Sequence, residues 1–128
     1  MKEQVITPLK CLIIDDESAA HKTIKFHIGK VPWLEFSESC MNAVKALEII
    51  SSKSFDLIFL DVDMPHISGI ELLKWLHERS GPQPVVYVMS AATKLASTDF
   101  LAYGAKGFLE KPATFEAIGK IIQQWLKP

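Results

Sequence analysis

Cysteine clusters, long apolar runs and an excess of charge of either sign are all missing from this chain, and each absence removes a class of function. Its two cysteines, Cys11 and Cys40, each sit beside apolar residues, with no second pair and no histidine cluster nearby. That pattern suits neither a disulfide framework nor a zinc site, and both side chains read as reduced, buried thiols. The N-terminal MKEQVITPLK holds no apolar stretch long enough for a signal peptide, and no later run approaches membrane-spanning length. A cytoplasmic protein without membrane attachment is expected. The 14 basic and 15 acidic residues leave a net charge of -1, too balanced for nucleic-acid binding through bulk charge. Internal repeats, low-complexity tracts and linker-like segments are also lacking, so the 128 residues read as one domain behind a short tail at residues 1–9.

What the chain does have is a series of short apolar runs. CLII (Cys11 to Ile14), LIFL (Leu57 to Leu60), VVYVM (Val85 to Met89) and GFL (Gly107 to Leu109) are almost wholly apolar. Continuous rather than alternating hydrophobicity at this length suits strands covered on both faces, as in a parallel sheet. LEFSESC (Leu34 to Cys40) alternates instead and reads as an edge strand.

Helical spacing fills the intervals. Ala20, Ile24 and Ile28 form one stripe, Ala43, Leu47 and Ile50 a second, Leu72, Leu73 and Leu76 a third, and Ile118, Ile121, Ile122 and Trp125 a fourth. Ser68 and Glu71 have the spacing of a capping box, and Asn42 and Thr114 are candidate N-caps. One more helix is predicted across Lys94 to Tyr103 (KLASTDFLAY), whose apolar spacing is the least periodic. Strand and helix thus alternate five times. The expected architecture is α/β: a doubly wound, five-stranded parallel sheet with five helices.

Polar residues fall at revealing places on this frame. Asp15 and Asp16 follow CLII, Asp61 follows LIFL, Ser90 follows VVYVM, and Lys111 comes two residues after Leu109. All stand at the C-terminal ends of predicted strands, the edge where open parallel sheets bind ligands. Three carboxylates in one crevice repel each other and call for a cation. Oxygen ligands without His or Cys suit Mg2+ or Mn2+. Together with an ammonium and a hydroxyl, such a site fits the oxygens of a phosphoryl group. Asp61, alone at the end of the most apolar strand, is the candidate nucleophile, and Asp15 and Asp16 are candidate metal ligands. Taken singly, each acid could equally be a turn or helix-cap residue; specificity resides in the set.

IIDDE (Ile13 to Glu17), LDVDMPHISG (Leu60 to Gly69), VMSAA (Val88 to Ala92) and FLEKP (Phe108 to Pro112) resemble the signature segments of the response-regulator receiver domain. The resemblance runs from about Lys10 to Pro128 and implies the flavodoxin-like strand order 2-1-3-4-5. It implies that Asp61 accepts a phosphoryl group from a phosphohistidine on a sensor histidine kinase or phosphotransfer protein. Mg2+ would be positioned by Asp15, Asp16 and Asp61, with the backbone carbonyl of Asp63 as a further ligand. Ser90 and Lys111 match the family's hydroxyl and lysine, and the Lys111-Pro112 peptide is expected to be cis. On phosphorylation Ser90 would move toward the phosphate and Phe108 would turn inward, the alternative being that Phe108 is simply core. The output surface would comprise the fourth and fifth helices and the fifth strand.

Two residues depart from the usual pattern: Asp63 is acidic where members vary, and Ser90 replaces the commoner threonine. IIDDESAAH and VPWLEF also resemble receivers that precede a LytTR-type DNA-binding domain. The protein is then either a single-domain regulator acting on an output protein or a receiver cut from a longer chain. Direct nucleic-acid binding is not expected of this domain, and a phosphorylation-dependent homodimer stays open. An alternative is a haloacid-dehalogenase-type Mg2+-dependent phosphatase, which LIFLDVD resembles, with Asp63 as general acid. Against it, the nucleophile lies on the third strand and Asp15-Asp16 would be unexplained. A flavin carrier lacks its Ser/Thr/Gly-rich phosphate loop. His66 reads as a solvated loop residue, and His21, His27 and His77 as surface or boundary positions. Trp33, Trp75 and Trp125 read as packing residues or a partner face.

Overall fold

A computed structural model describes residues 7–64, 69–81, 83–91 and 99–125. In chain order the elements are β1 (Leu9–Ile14), α1 (Ser18–Ile28), β2 (Leu34–Cys40), α2 (Ala43–Ser52), β3 (Leu57–Asp61), α3 (Gly69–Glu78), β4 (Val85–Ser90), β5 (Gly107–Glu110) and α4 (Phe115–Gln123). The strands form one sheet in the order β2-β1-β3-β4-β5, and every pairing is parallel.

This order explains the hydrophobicity gradient seen in the sequence. β3 lies in the middle of the sheet, and all five of its residues are buried. Its side chains alternate between two cores. Ile58 and Leu60 join Ala46, Ile49, Leu72 and Leu76 under α2 and α3. Leu57 and Phe59 join Ile24, Ile28, Ile118 and Ile122 under α1 and α4. Each large side chain so enclosed contributes roughly 1.5–3 kcal/mol of burial. β2 is the edge, and its exposed and half-buried positions carry the alternation of LEFSESC.

The number of helices must be corrected: the described residues hold four, not five. Residues 94–98 of the predicted fourth helix lie outside the described residues, and residues 100–104 form turns. Tyr103 N–H donates to the Phe100 carbonyl and Gly104 N–H to that of Leu101, a three-residue spacing. The Asp99 carboxylate accepts the Ala102 N–H at 3.2 Å, the spacing of an N-cap, but the turns that follow run only to Gly104. Gly104 then takes φ 97°, a conformation that side-chain-bearing residues avoid.

Local signals for the other helices hold where they are described. Asn42 accepts the Lys45 N–H at 2.8 Å and Thr114 the Ala117 N–H at 3.1 Å. Ser68, half of the expected capping box, and His66 lie outside the described residues. Cys11 and Cys40 are free and buried, and burial pushes their thiols up to about 12 and about 11. His27 is half-buried and His77 exposed, but His21 is buried, contrary to its reading as a surface or boundary residue. It shares the inward face of α1 with Ile24 and Ile28, and its Nε2 donates to the Asp15 carbonyl at 2.7 Å. Trp33, Trp75 and Trp125 are half-buried packing residues, with the Trp33 indole donating to the Trp125 carbonyl. No helix among the described residues is long and apolar enough to cross a membrane.

Candidate functional site

The parallel topology delivers the C-terminal ends of β1, β3, β4 and β5 to one edge of the sheet. Asp15 follows β1 and is 2% exposed; Asp61 ends β3 and Ser90 ends β4, both with 0% exposure. Asp16 is exposed beside them. Carboxylate oxygens of Asp15, Asp16 and Asp61 all lie within 4.8 Å of one another. The three acids gathered from sequence therefore meet in space.

Lys111, just past β5, closes the group. Its Nζ lies 3.2 Å from Asp61 Oδ1 and 3.1 Å from Oδ2, and 3.9 Å from Glu17 Oε1. Its backbone N–H donates to the Ser90 carbonyl at 2.8 Å, which ties the strand end of β4 to the lysine. The Lys111-Pro112 peptide is cis, as the sequence resemblance implies. A crevice of about 430 Å³ opens beside these groups, lined by Asp15, Glu17, Thr23, Met89 and Lys111 among others.

One ammonium does not neutralise the cluster. Burial pushes the Asp15 carboxyl up to about 6; the Glu17 N–H, bonded to Asp15 Oδ1 at 2.8 Å, opposes this, and the charge of Asp61 adds to it. Burial likewise raises Asp61, against the Asp63 N–H and Lys111, which hold its charged form, while Asp16 raises it further. Burial would lower Lys111, but its hydrogen bond to Asp61 and the charges of Asp61, Asp15 and Asp63 keep it above its ordinary value. Two buried carboxylates above their usual range, with a third at hand and only oxygen donors, form a donor set that fits a divalent cation of the Mg2+ type.

Asp63 reaches two of these strand ends. Its N–H donates to Asp61 Oδ1 at 2.8 Å, while its carboxylate turns toward the end of β4. There Oδ1 accepts the Ser90 hydroxyl at 3.0 Å and Oδ2 accepts the Ala91 N–H at 2.8 Å. Phe108 is 49% exposed, so it is not a core residue.

Three contributors escape a reading of the sequence alone. Glu17 fixes Asp15 through its backbone, and its place as the third acid of IIDDE was the available signal. Ala91 supplies a main-chain donor that no side-chain pattern marks. Gly69, first residue of α3, lies so close to β3 that a Cβ would meet the Asp61 carbonyl oxygen at 2.9 Å. Only a glycine permits that approach.

Comparison with known proteins agrees with this geometry. The family model described as response regulator receiver domain matches residues 11–123. A protein-glutamate methylesterase/protein-glutamine glutaminase of Geobacillus kaustophilus is 36% identical over 107 residues, 82% of this chain and 30% of that protein. An uncharacterized response regulatory protein of Vibrio cholerae is 34% identical over 119 residues, 93% of this chain and 49% of that protein. The chain thus spans less than half the length of these curated relatives. Among solved structures, the chemotaxis response regulator CheY4 of Vibrio cholerae superposes with a TM-score of 0.78 at 25% identity, covering 94% of this chain and 100% of that one.

Proposed function

Because this chain belongs to the response-regulator receiver domain family, we propose that Asp61 accepts a phosphoryl group from the phosphohistidine of a sensor histidine kinase or a phosphotransfer protein. The observation that carries this reading is the fully buried Asp61 carboxylate, gripped by Lys111 and within reach of Asp15 and Asp16 at the ligand-binding edge of the sheet.

An Asp61 oxygen attacks phosphorus as the P–N bond breaks. The electron pair of that bond returns to the imidazole nitrogen, and the ring leaves as neutral imidazole with its proton on the other nitrogen. Before transfer, Lys111 and the Asp63 N–H hold the nucleophile in one orientation; afterwards the ammonium serves the phosphoryl oxygens. When bound by Asp15, Asp16, Asp61 and the Asp63 backbone carbonyl, Mg2+ supplies charge that offsets the negative phosphoryl group. The chain catalyses only its own phosphorylation and dephosphorylation.

The charge added to Asp61, about 1.5 to 2 negative units, then draws the Ser90 hydroxyl inward and lets Phe108 follow. Phe108, β5 and α4 would form the described part of the output surface. Its target is an output protein, a LytTR-type DNA-binding domain of a longer chain, or a second phosphorylated copy, all met in the cytoplasm. The phosphatase reading gains nothing, since a general acid at Asp63 would have to leave Ser90 and Ala91.

Acetyl phosphate provides the test. Mg2+-dependent labelling to one phosphoryl group per chain, lost in Asp61→Asn, is expected. Multiple turnovers of a simple phosphate ester would overturn the proposal.

A further inference from the structure

Asp63 binds the phosphoacceptor with its main chain and the end of β4 with its side chain. Its N–H holds Asp61 Oδ1 at 2.8 Å, and its two carboxylate oxygens take the Ser90 hydroxyl at 3.0 Å and the Ala91 N–H at 2.8 Å, one each. An anion therefore already sits on a hydroxyl and an amide donor beside Asp61. A serine hydroxyl has one proton and donates it to one strong acceptor at a time. While Asp63 holds that proton, Ser90 has none for a phosphoryl oxygen. The Ala91 N–H is engaged in the same way. Bonds to an ionised acceptor are stronger than neutral ones, and Ser90 is fully buried, so water does not readily take the carboxylate's place.

Resting on the phosphoacceptor reading, we propose that the Asp63 carboxylate is an internal gate, an anion that occupies the donors needed by the transferred phosphoryl group and slows phosphorylation of Asp61 until displaced. The Asp63 charge also acts on Lys111, which places it on the same crevice. Like charge in that crevice opposes an incoming phosphoryl dianion, so the gate works by occupancy and by repulsion together. This fixes the direction in which an acid at this position acts: it lowers the affinity of the site for phosphoryl groups. Asp63 is a positioning residue, because its carboxylate acts through Ser90 and Ala91.

Rates of labelling by acetyl phosphate and half-saturating concentrations of beryllofluoride, a phosphoryl analogue, measured with Mg2+ on the full chain, test the gate. Asp63→Ala releases both donors, and from two charge-assisted hydrogen bonds an acceleration and tightening of about tenfold are expected. Asp63→Asn keeps the shape and removes the charge, and should fall between. In a Ser90→Ala background the gain from Asp63→Ala should shrink to about threefold, because the Ser90 donor is no longer there to be released while the Ala91 donor and the charge still are. A merely structural Asp63 would give slower labelling and weaker binding on substitution. Should Asp63→Ala melt below the assay temperature, the isosteric Asp63→Asn carries the test alone. Unchanged or slower labelling in the folded variants overturns the gate. Failure of the phosphoacceptor reading looks different: wild type itself takes no label, or the label survives in Asp61→Asn.

Discussion

Lys111 Nζ reaches both carboxylate oxygens of Asp61, at 3.1 and 3.2 Å, from across the one intervening strand end, that of β4. It is the one ammonium in direct contact with a fully buried acid among the described residues, and removing it leaves Asp61 without that partner. Lys111→Met is expected to cost about 2 kcal/mol in metal-free urea unfolding, below the usual figure for breaking a buried pair because the lysine still meets solvent. Added Mg2+ should recover part of the loss. Labelling by acetyl phosphate should fall at least about a hundredfold, as for other lost charge-stabilising groups.

Asp15 makes the pH dependence of stability run opposite to that of a salt-bridged acid, whose carboxyl a fold holds below its ordinary value. Its carboxyl ionises near 3.8 in the unfolded chain and at about 6 in the fold. Between those values the folded state keeps a proton that the unfolded state has lost, so this residue's contribution to stability falls as pH rises through the window. At about 1.4 kcal/mol per pH unit the drop approaches 3 kcal/mol. Asp15→Asn should remove this slope, be the more stable protein at neutral pH in chelator, and gain less from Mg2+. Urea unfolding at several pH values between about 4 and about 7 measures it.

Gly69 keeps α3 tight against the strand that carries the nucleophile. Its Cβ position is crowded by Val62 and by the Asp61 carbonyl oxygen, so Gly69→Ala must push backbone rather than a flexible side chain. A loss of roughly 1–3 kcal/mol is expected, together with slower labelling because Asp61 moves with β3. Gly81→Ala serves as the contrast, since open space surrounds that position and only its φ of 92° resists a side chain.

Phe108 offers a test of its outward placement. At 49% exposure, Phe108→Ala should change stability by about 1 kcal/mol or less, whereas a core phenylalanine costs about 3–5 kcal/mol. A thermal or urea melt of the unphosphorylated protein distinguishes the two.

Legibility in the sequence tracked how local the cause was. LIFL and LEFSESC announce a central and an edge strand because burial on two faces or one leaves its mark in hydrophobicity, and β3 and β2 take those places. Asp15, Asp16, Asp61, Ser90 and Lys111 were legible because a parallel sheet gathers its strand ends at one edge. Of KLASTDFLAY, the described residues turn only as far as Gly104, whose φ of 97° ends the segment, a stop that apolar spacing does not reveal. His21 occupies an inward position of α1 but is polar, and its partner is a carbonyl rather than a side chain. The turn of Asp63 toward Ser90 depends on the β3 to β4 pairing, where Asp61 lies opposite Met89, and so on a register that neither segment encodes by itself.

Cys11 and Cys40 lend the molecule an experimental convenience. Both thiols are buried and ionise only near 12 and 11, so neither presents a thiolate to a labelling reagent at neutral pH. A cysteine introduced in place of Phe108 would be the sole reactive sulfur on a chain whose core needs no rebuilding. One dye attached there would report whether the surroundings of β5 change when Asp61 is phosphorylated.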